Sequence, residues 1–142
     1  MNIITNLREK RRIKQISFER SVLKDLRISQ LREQFKNTFD NLIISDRPHK
    51  GAREEYCLEL AVESYLLGAR YSRFAYYGEP VEKVQIRSEK EKDWLTYLFY
   101  SSIYGRREKV ETEFYHDCDL FLSYCWLDGF QKGERRYRLR LR

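Results

Sequence analysis

Apolar side chains recur along most of this chain at intervals of three and four, the spacing that gathers them on one face of an α-helix. The stripe Ile28, Leu31, Phe35, Phe39 and Leu42 is the plainest case. Residues 6–26 before it are good helix formers without Gly or Pro, but their apolar positions are sparse: Leu7, Ile13, Ile16, Val22, Leu23 and Leu26. Such a segment reads as an exposed helix with one narrow seam. The repeat loses phase between Leu23 and Ile28. That predicts a kink or a break near residues 27–29, with Ser29 able to cap a new helix; one long helix is the alternative.

Pro48 and Gly51 mark the firmest boundary, since proline disfavours helix at the residue before it. A third helix follows over 52–71 or beyond. From Tyr56 to Ala69 its only strongly polar positions are Glu59, Glu63 and Ser64, so it belongs at the centre of a bundle. Ala61, Ser64, Gly68, Ser72 and Ala75 fall on one face and let a neighbouring helix approach closely, which would offset the cost of Gly68, about 1 kcal/mol against alanine. Gly78 and Pro80 make the next turn, with Pro80 suited to the first position of a fourth helix. That helix crosses a polar stretch, 87–93, before Trp94, Leu95, Leu98, Phe99, Ser102 and Ile103. Thr112 can cap a fifth, whose stripe is Tyr115, Cys118, Leu122, Cys125, Trp126 and Gly129. Gly129 and Gly133 would then let the chain leave the bundle. The tail alternates arginine with apolar residues, which suggests an extended segment; a frayed helix or a surface arm fits equally.

The fold expected is therefore all-α: one domain over 1–142, a bundle of four to six helices around a buried third helix. The 142 residues suffice for a core without disulfides or metal, and two prolines and six glycines argue against a turn-rich β sandwich. No apolar run approaches the roughly 20 residues of a membrane span, and no apolar stretch follows the basic start as a secretory signal requires. Cys57, Cys118 and Cys125 lack metal-ligand spacing and read as reduced, buried thiols, so a cytoplasmic location is expected.

Charge is distributed unevenly. Residues 1–27 hold eight Lys/Arg against three Asp/Glu, residues 132–142 hold six against one, and the 104 between them sum to −4. Two basic ends, the exposed helix of 1–27 and the tail of 133–142, thus flank an acidic body. Arg8, Lys10, Arg11, Arg12 and Lys14, with Arg135, Arg136, Arg138, Arg140 and Arg142, form a phosphate-binding patch if the ends meet. Folding back on the acidic body, or staying solvated, is the plainer outcome. Arg70, Tyr71, Arg73, Phe74, Tyr76 and Tyr77 combine arginine with aromatics, as interfaces do, though a core rim does the same.

Other constellations are incomplete. Glu113 and His116 have Glu-x-x-His spacing but no second copy, so no metal or cofactor is expected. Glu55, Glu59 and Glu63 make an acidic line whose natural partner is the basic first helix. Cys118 beside His116 is not a nucleophile signal, because neighbouring residues diverge on a helix. No phosphate loop, nucleophile elbow or zinc spacing occurs.

The stretches AVESYLLGARYSRFAYYGEP (61–80) and WLDGFQKGERRY (126–137) resemble segments of a small uncharacterised family of spore-forming Gram-positive bacteria. The resemblance covers about a quarter of the chain. It implies a cytoplasmic bacterial protein and brings no activity, ligand or site. The leading expectation is a non-catalytic protein that binds another protein or a second copy of itself. The rival is a nucleic-acid-binding accessory protein using the basic ends; an anionic membrane surface is a further possible partner. An enzyme of unrecognised type comes third.

Overall fold

The computed structural model describes residues 3–43, 50–104 and 112–139. Among them are six helices and no strand: α1 (Ile3–Leu23), α2 (Ile28–Ile43), α3 (Lys50–Tyr76), α4 (Val81–Arg87), α5 (Glu89–Tyr104) and α6 (Thr112–Leu139). The helix α3 packs against each of the other five, so the near-continuous apolar run does mark the centre of an all-α bundle.

The closest packing is between α3 and α6, which run parallel: Ser64 Oγ donates to the Leu122 carbonyl (2.7 Å), and farther along Gly133 lies against Ser72 and Ala69. A Cβ on Gly68 would collide with the Trp126 carbonyl, and one on Gly129 with the Tyr65 carbonyl. The small face expected on α3 thus meets a matching small face on α6. The glycines of α6 are the correction: Gly129 and Gly133 lie inside the helix, and the chain stays in the bundle. Between 133 and 139 the tail is helical, one of the readings that its alternation left open.

Four phenylalanines close the other end of the core. Phe35 and Phe39 of α2, Phe99 of α5 and Phe121 of α6 are all buried, and every pair among them has ring centroids within 6.2 Å. Three further expectations change. Ser29 falls within α2, which begins at Ile28, so the predicted break is real but Ser29 is not its cap. The helix expected from Pro80 to Ile103 is two, α4 and α5, separated at the buried Ser88. Pro80 precedes the first helical residue of α4, with extended backbone (φ −68°, ψ 151°). Gly78 supplies the turn before it at φ +100°, a conformation other residues adopt with difficulty.

On α5 the apolar stripe rotates relative to expectation: Trp94 is exposed and Thr96 is fully buried. On α1, Phe18 and Val22 turn inward, whereas residues 7–14 are exposed throughout. The hydroxyl of buried Tyr65 donates to the Val22 carbonyl (2.7 Å), and Glu19 pairs with Arg70. As α1 is followed back from Val22 to Glu19, its partners on α3 advance from Tyr65 to Arg70. The helix therefore lies antiparallel to α3, and its basic turns come beside the last turns of α3.

Candidate polyanion-binding end of the bundle

That antiparallel arrangement joins two residue sets that are far apart in sequence. Arg11 and Arg12 of α1 and Arg70 and Arg73 of α3 line one shallow pocket of about 480 Å³, completed by Gln15, Tyr71 and Glu91. Arg70 is partly neutralised by Glu19, with Glu63 3.8 Å away. The Tyr71 hydroxyl donates to Glu91 (2.6 Å), and this bond is the main reason the phenol holds its proton more tightly than usual. Arg11, Arg12 and Arg73 make no ion pair among the described residues. The pocket therefore holds an excess of positive charge.

Elsewhere in the expected patch the outcome is mixed. Arg8, Lys10 and Lys14 are exposed along α1 without an ion pair among the described residues, and so is Arg135 on α6. Arg136 is only 12% exposed and holds Asp25 through two bonds (2.6 and 3.0 Å), which raises its affinity for its proton. Arg138 reaches back to Glu134 (2.6 Å). Arg140 and Arg142 lie outside the described residues. The Tyr137 ring of α6 lies 4.5 Å from the Phe18 ring of α1, but the basic residues of the two helices line separate recesses.

The aromatic set divides into two. Phe74 is structural, half-buried beneath Arg73 (5.0 Å) and Arg87 (4.2 Å), with Arg87 fixed by Glu79. Tyr76 and Tyr77 instead face solvent, 45% and 81% exposed. Their rings continue a row from Phe18 and Tyr137, with centroids 6.0 Å apart for Tyr76–Tyr137 and 5.3 Å for Tyr76–Tyr77. Phe18 and Tyr137 were absent from the expected site. A sequence signal for them existed only in the Arg-Tyr-Arg context of Tyr137.

The remaining candidates go to structural roles. Glu55 is held by Arg32 of α2 (3.0 Å), and Glu63 lies 3.8 Å from Arg70 of α3 itself, so no member of the acidic line pairs with the basic turns of α1 among the described residues. Glu113 and His116 are both exposed, and no group of three His, Cys, Asp or Glu among the described residues is placed to hold a metal. All three thiols are buried, and desolvation pushes Cys57 up to about 11 and Cys118 and Cys125 up to about 12. Such thiols are inert at neutral pH.

A second recess, about 380 Å³, lies between α4, α5 and α6. In it Lys92 Nζ donates to Asp119 (2.7 Å) and to Ser123 Oγ (2.6 Å). The Asp119 carboxylate and the Ser123 hydroxyl thus share one amine.

No helix among the described residues is long and apolar enough to cross a membrane. The family model described as "Protein of unknown function (DUF2521)" matches residues 1–142, and the chain belongs to that family. It is similar to the Bacillus subtilis (strain 168) protein named "Uncharacterized protein YbaK", at 27% identity over 137 residues and 93% of each chain. No solved structure matches. Neither the family's description nor that relative's name indicates an activity.

Proposed function

We propose that this chain, as a member of that family, is a non-catalytic protein of the bacterial cytoplasm that binds nucleic acid through the arginine-lined end of its bundle. The observation that carries this reading is the pocket shared by Arg11, Arg12, Arg70 and Arg73. Guanidinium groups brought together against their mutual repulsion, with Glu91 in the lining and Glu19 and Glu63 drawn to Arg70 alone, leave Arg11, Arg12 and Arg73 to suit a phosphodiester backbone, which each can engage through two hydrogen bonds. Arg8, Lys10 and Lys14 extend the same charge along α1.

Binding of this kind releases counterions, so affinity falls with salt. Each phosphate neutralised contributes about −0.7 to −0.9 to the slope of log K against log salt. With three or four contacts the expected slope is roughly −2 to −4. Fluorescence anisotropy across a salt series measures it. The combined substitution Arg11→Gln, Arg12→Gln and Arg73→Gln should abolish binding while leaving the helical circular dichroism intact. Absence of binding at low salt, or a flat salt response, refutes the reading.

One observation favours a second reading, a protein partner or a second copy of the chain. Ile3, Ile4 and Leu7 on the first turns of α1 are 75%, 57% and 51% exposed. A molar mass that rises with concentration in light scattering, and stays monomeric after Leu7→Lys, would support it. A monomer at every concentration excludes self-association.

A further inference from the structure

Charge alone does not distinguish a duplex from a single strand, but the ring row beside the charge does. We infer that the preferred ligand is single-stranded nucleic acid, its phosphates held by Arg11, Arg12 and Arg73 and its bases stacked on Tyr77 and Tyr76. This rests on the reading above and specifies its ligand. Tyr77 stands at the turn after α3, and with 81% of its surface in water it contributes little to the core. Its ring meets Tyr76 edge-on (77°), so a face remains open to a further flat partner. Behind Tyr76 come Tyr137 and Phe18, each ring within 6.0 Å of the next, which gives the outer rings a firm backing. Arg73 connects the two halves: it lines the arginine pocket and lies one helical turn before Tyr76 and Tyr77 at the end of α3.

The physical discrimination follows from where the bases are. In a duplex they are already stacked on one another, and an exposed tyrosine gains nothing from them. In a single strand the π-faces are available, and stacking on an aromatic side chain is tolerant of sequence. Basic groups that track the backbone beside rings that take up bases are the combination that single-strand binders use.

The test uses the full chain with labelled oligonucleotides of about 16 nucleotides, as single-stranded DNA, single-stranded RNA and duplex DNA, with inorganic polyphosphate as a charge-only competitor. Tyr77→Ala should weaken binding of the DNA or RNA single strand about five- to hundredfold. It should leave duplex affinity and polyphosphate competition unchanged. Tyr77→Phe should retain single-strand affinity, since it keeps the ring. Tyr76→Ala should act in the same direction, and Tyr77 is exposed enough that its loss does not endanger the fold. A duplex bound as tightly as a single strand, or a Tyr77→Ala protein with unchanged single-strand affinity, overturns the stacking inference. In that case loss of all binding in the arginine variant still sustains the polyanion reading. Binding of no nucleic acid at low salt overturns both.

Discussion

Gly129 of α6 presses its backbone directly against the carbonyl of Tyr65 on α3, and one turn away Gly68 does the same to the carbonyl of Trp126. The two helices exchange close contacts in both directions, so neither can acquire a side chain here without being pushed apart. The obstructing atoms are backbone, which cannot rotate away as a flexible side chain would. Gly129→Ala and Gly68→Ala should each destabilise the protein by about 3 kcal/mol, the upper end of the usual overpacking cost. Urea unfolding checks this. Ala substitution at the exposed Gly78 meets no atom within 4 Å and bears only the backbone strain of its φ of +100°. It should cost about 1 kcal/mol.

The phenylalanine cluster gives a second prediction. Phe99 is fully buried and its ring touches those of Phe35, Phe39 and Phe121. Phe99→Ala removes one of four interlocked rings contributed by three helices, so the gap cannot close by moving a single element. A loss of about 3–5 kcal/mol is expected, with Phe99→Leu nearer 1–2, again by urea unfolding.

Much of this architecture was legible in the sequence, and the reasons differ by element. The run around Leu60 to Ala69 has too few polar positions for any place but the centre, and the lost phase before Ile28 marks a true break. Gly129 and Gly133 misled because their local effect, about 1 kcal/mol each against helix, is visible in sequence while the compensation is not. That compensation sits on α3, in Tyr65, Ala69 and Ser72. The tail was ambiguous rather than misleading: alternating arginine and apolar residues fit a strand or a helix end, and the helix is the one that forms as far as Leu139. Asp25 and Phe18, more than a hundred residues earlier, supply partners for a helical Arg136 and Tyr137. The candidate site was half legible. Both arginine sets and Tyr76 and Tyr77 could be named, but which arginines are neutralised depends on neighbours that only the fold provides.

Asp25 and Arg136 tie the turn after α1 to the last turns of α6, and the pair is testable by a double-mutant cycle. Asp25→Asn and Arg136→Gln should each cost about 1–2 kcal/mol. A charge-assisted bidentate bond is worth somewhat more when fully buried, but Asp25 is 35% exposed on its side chain and solvent weakens the attraction. The double variant should lose less than the sum of the singles, with a coupling of about 1 kcal/mol. Additive losses would mean that the two groups stabilise the fold independently.

The buried thiols set the alkaline limit of the fold. In the unfolded chain each cysteine ionises near 9, whereas in the folded protein burial pushes Cys57 up to about 11 and Cys118 and Cys125 up to about 12. Below 9 all three are protonated in both states and the shift has no effect. Between 9 and 11–12 the unfolded chain releases protons that the folded protein retains, so it binds fewer protons than the native state and stability falls as pH rises. Each thiol contributes up to about 1.4 kcal/mol per pH unit within that window. Tyr65, raised in the same direction chiefly by burial, adds to the loss at the upper end. The melting temperature should therefore hold level from pH 7 to about 8.5 and decline steeply by about pH 10.5. Cys118→Ala should flatten that decline even though it lowers the melting temperature at pH 7, because it removes one ionising group along with its packing. An identical alkaline slope in the variant would show that Cys118 ionises equally in both states. At pH 8 the same burial predicts that thiol reagents label none of the three cysteines until the protein is unfolded in urea.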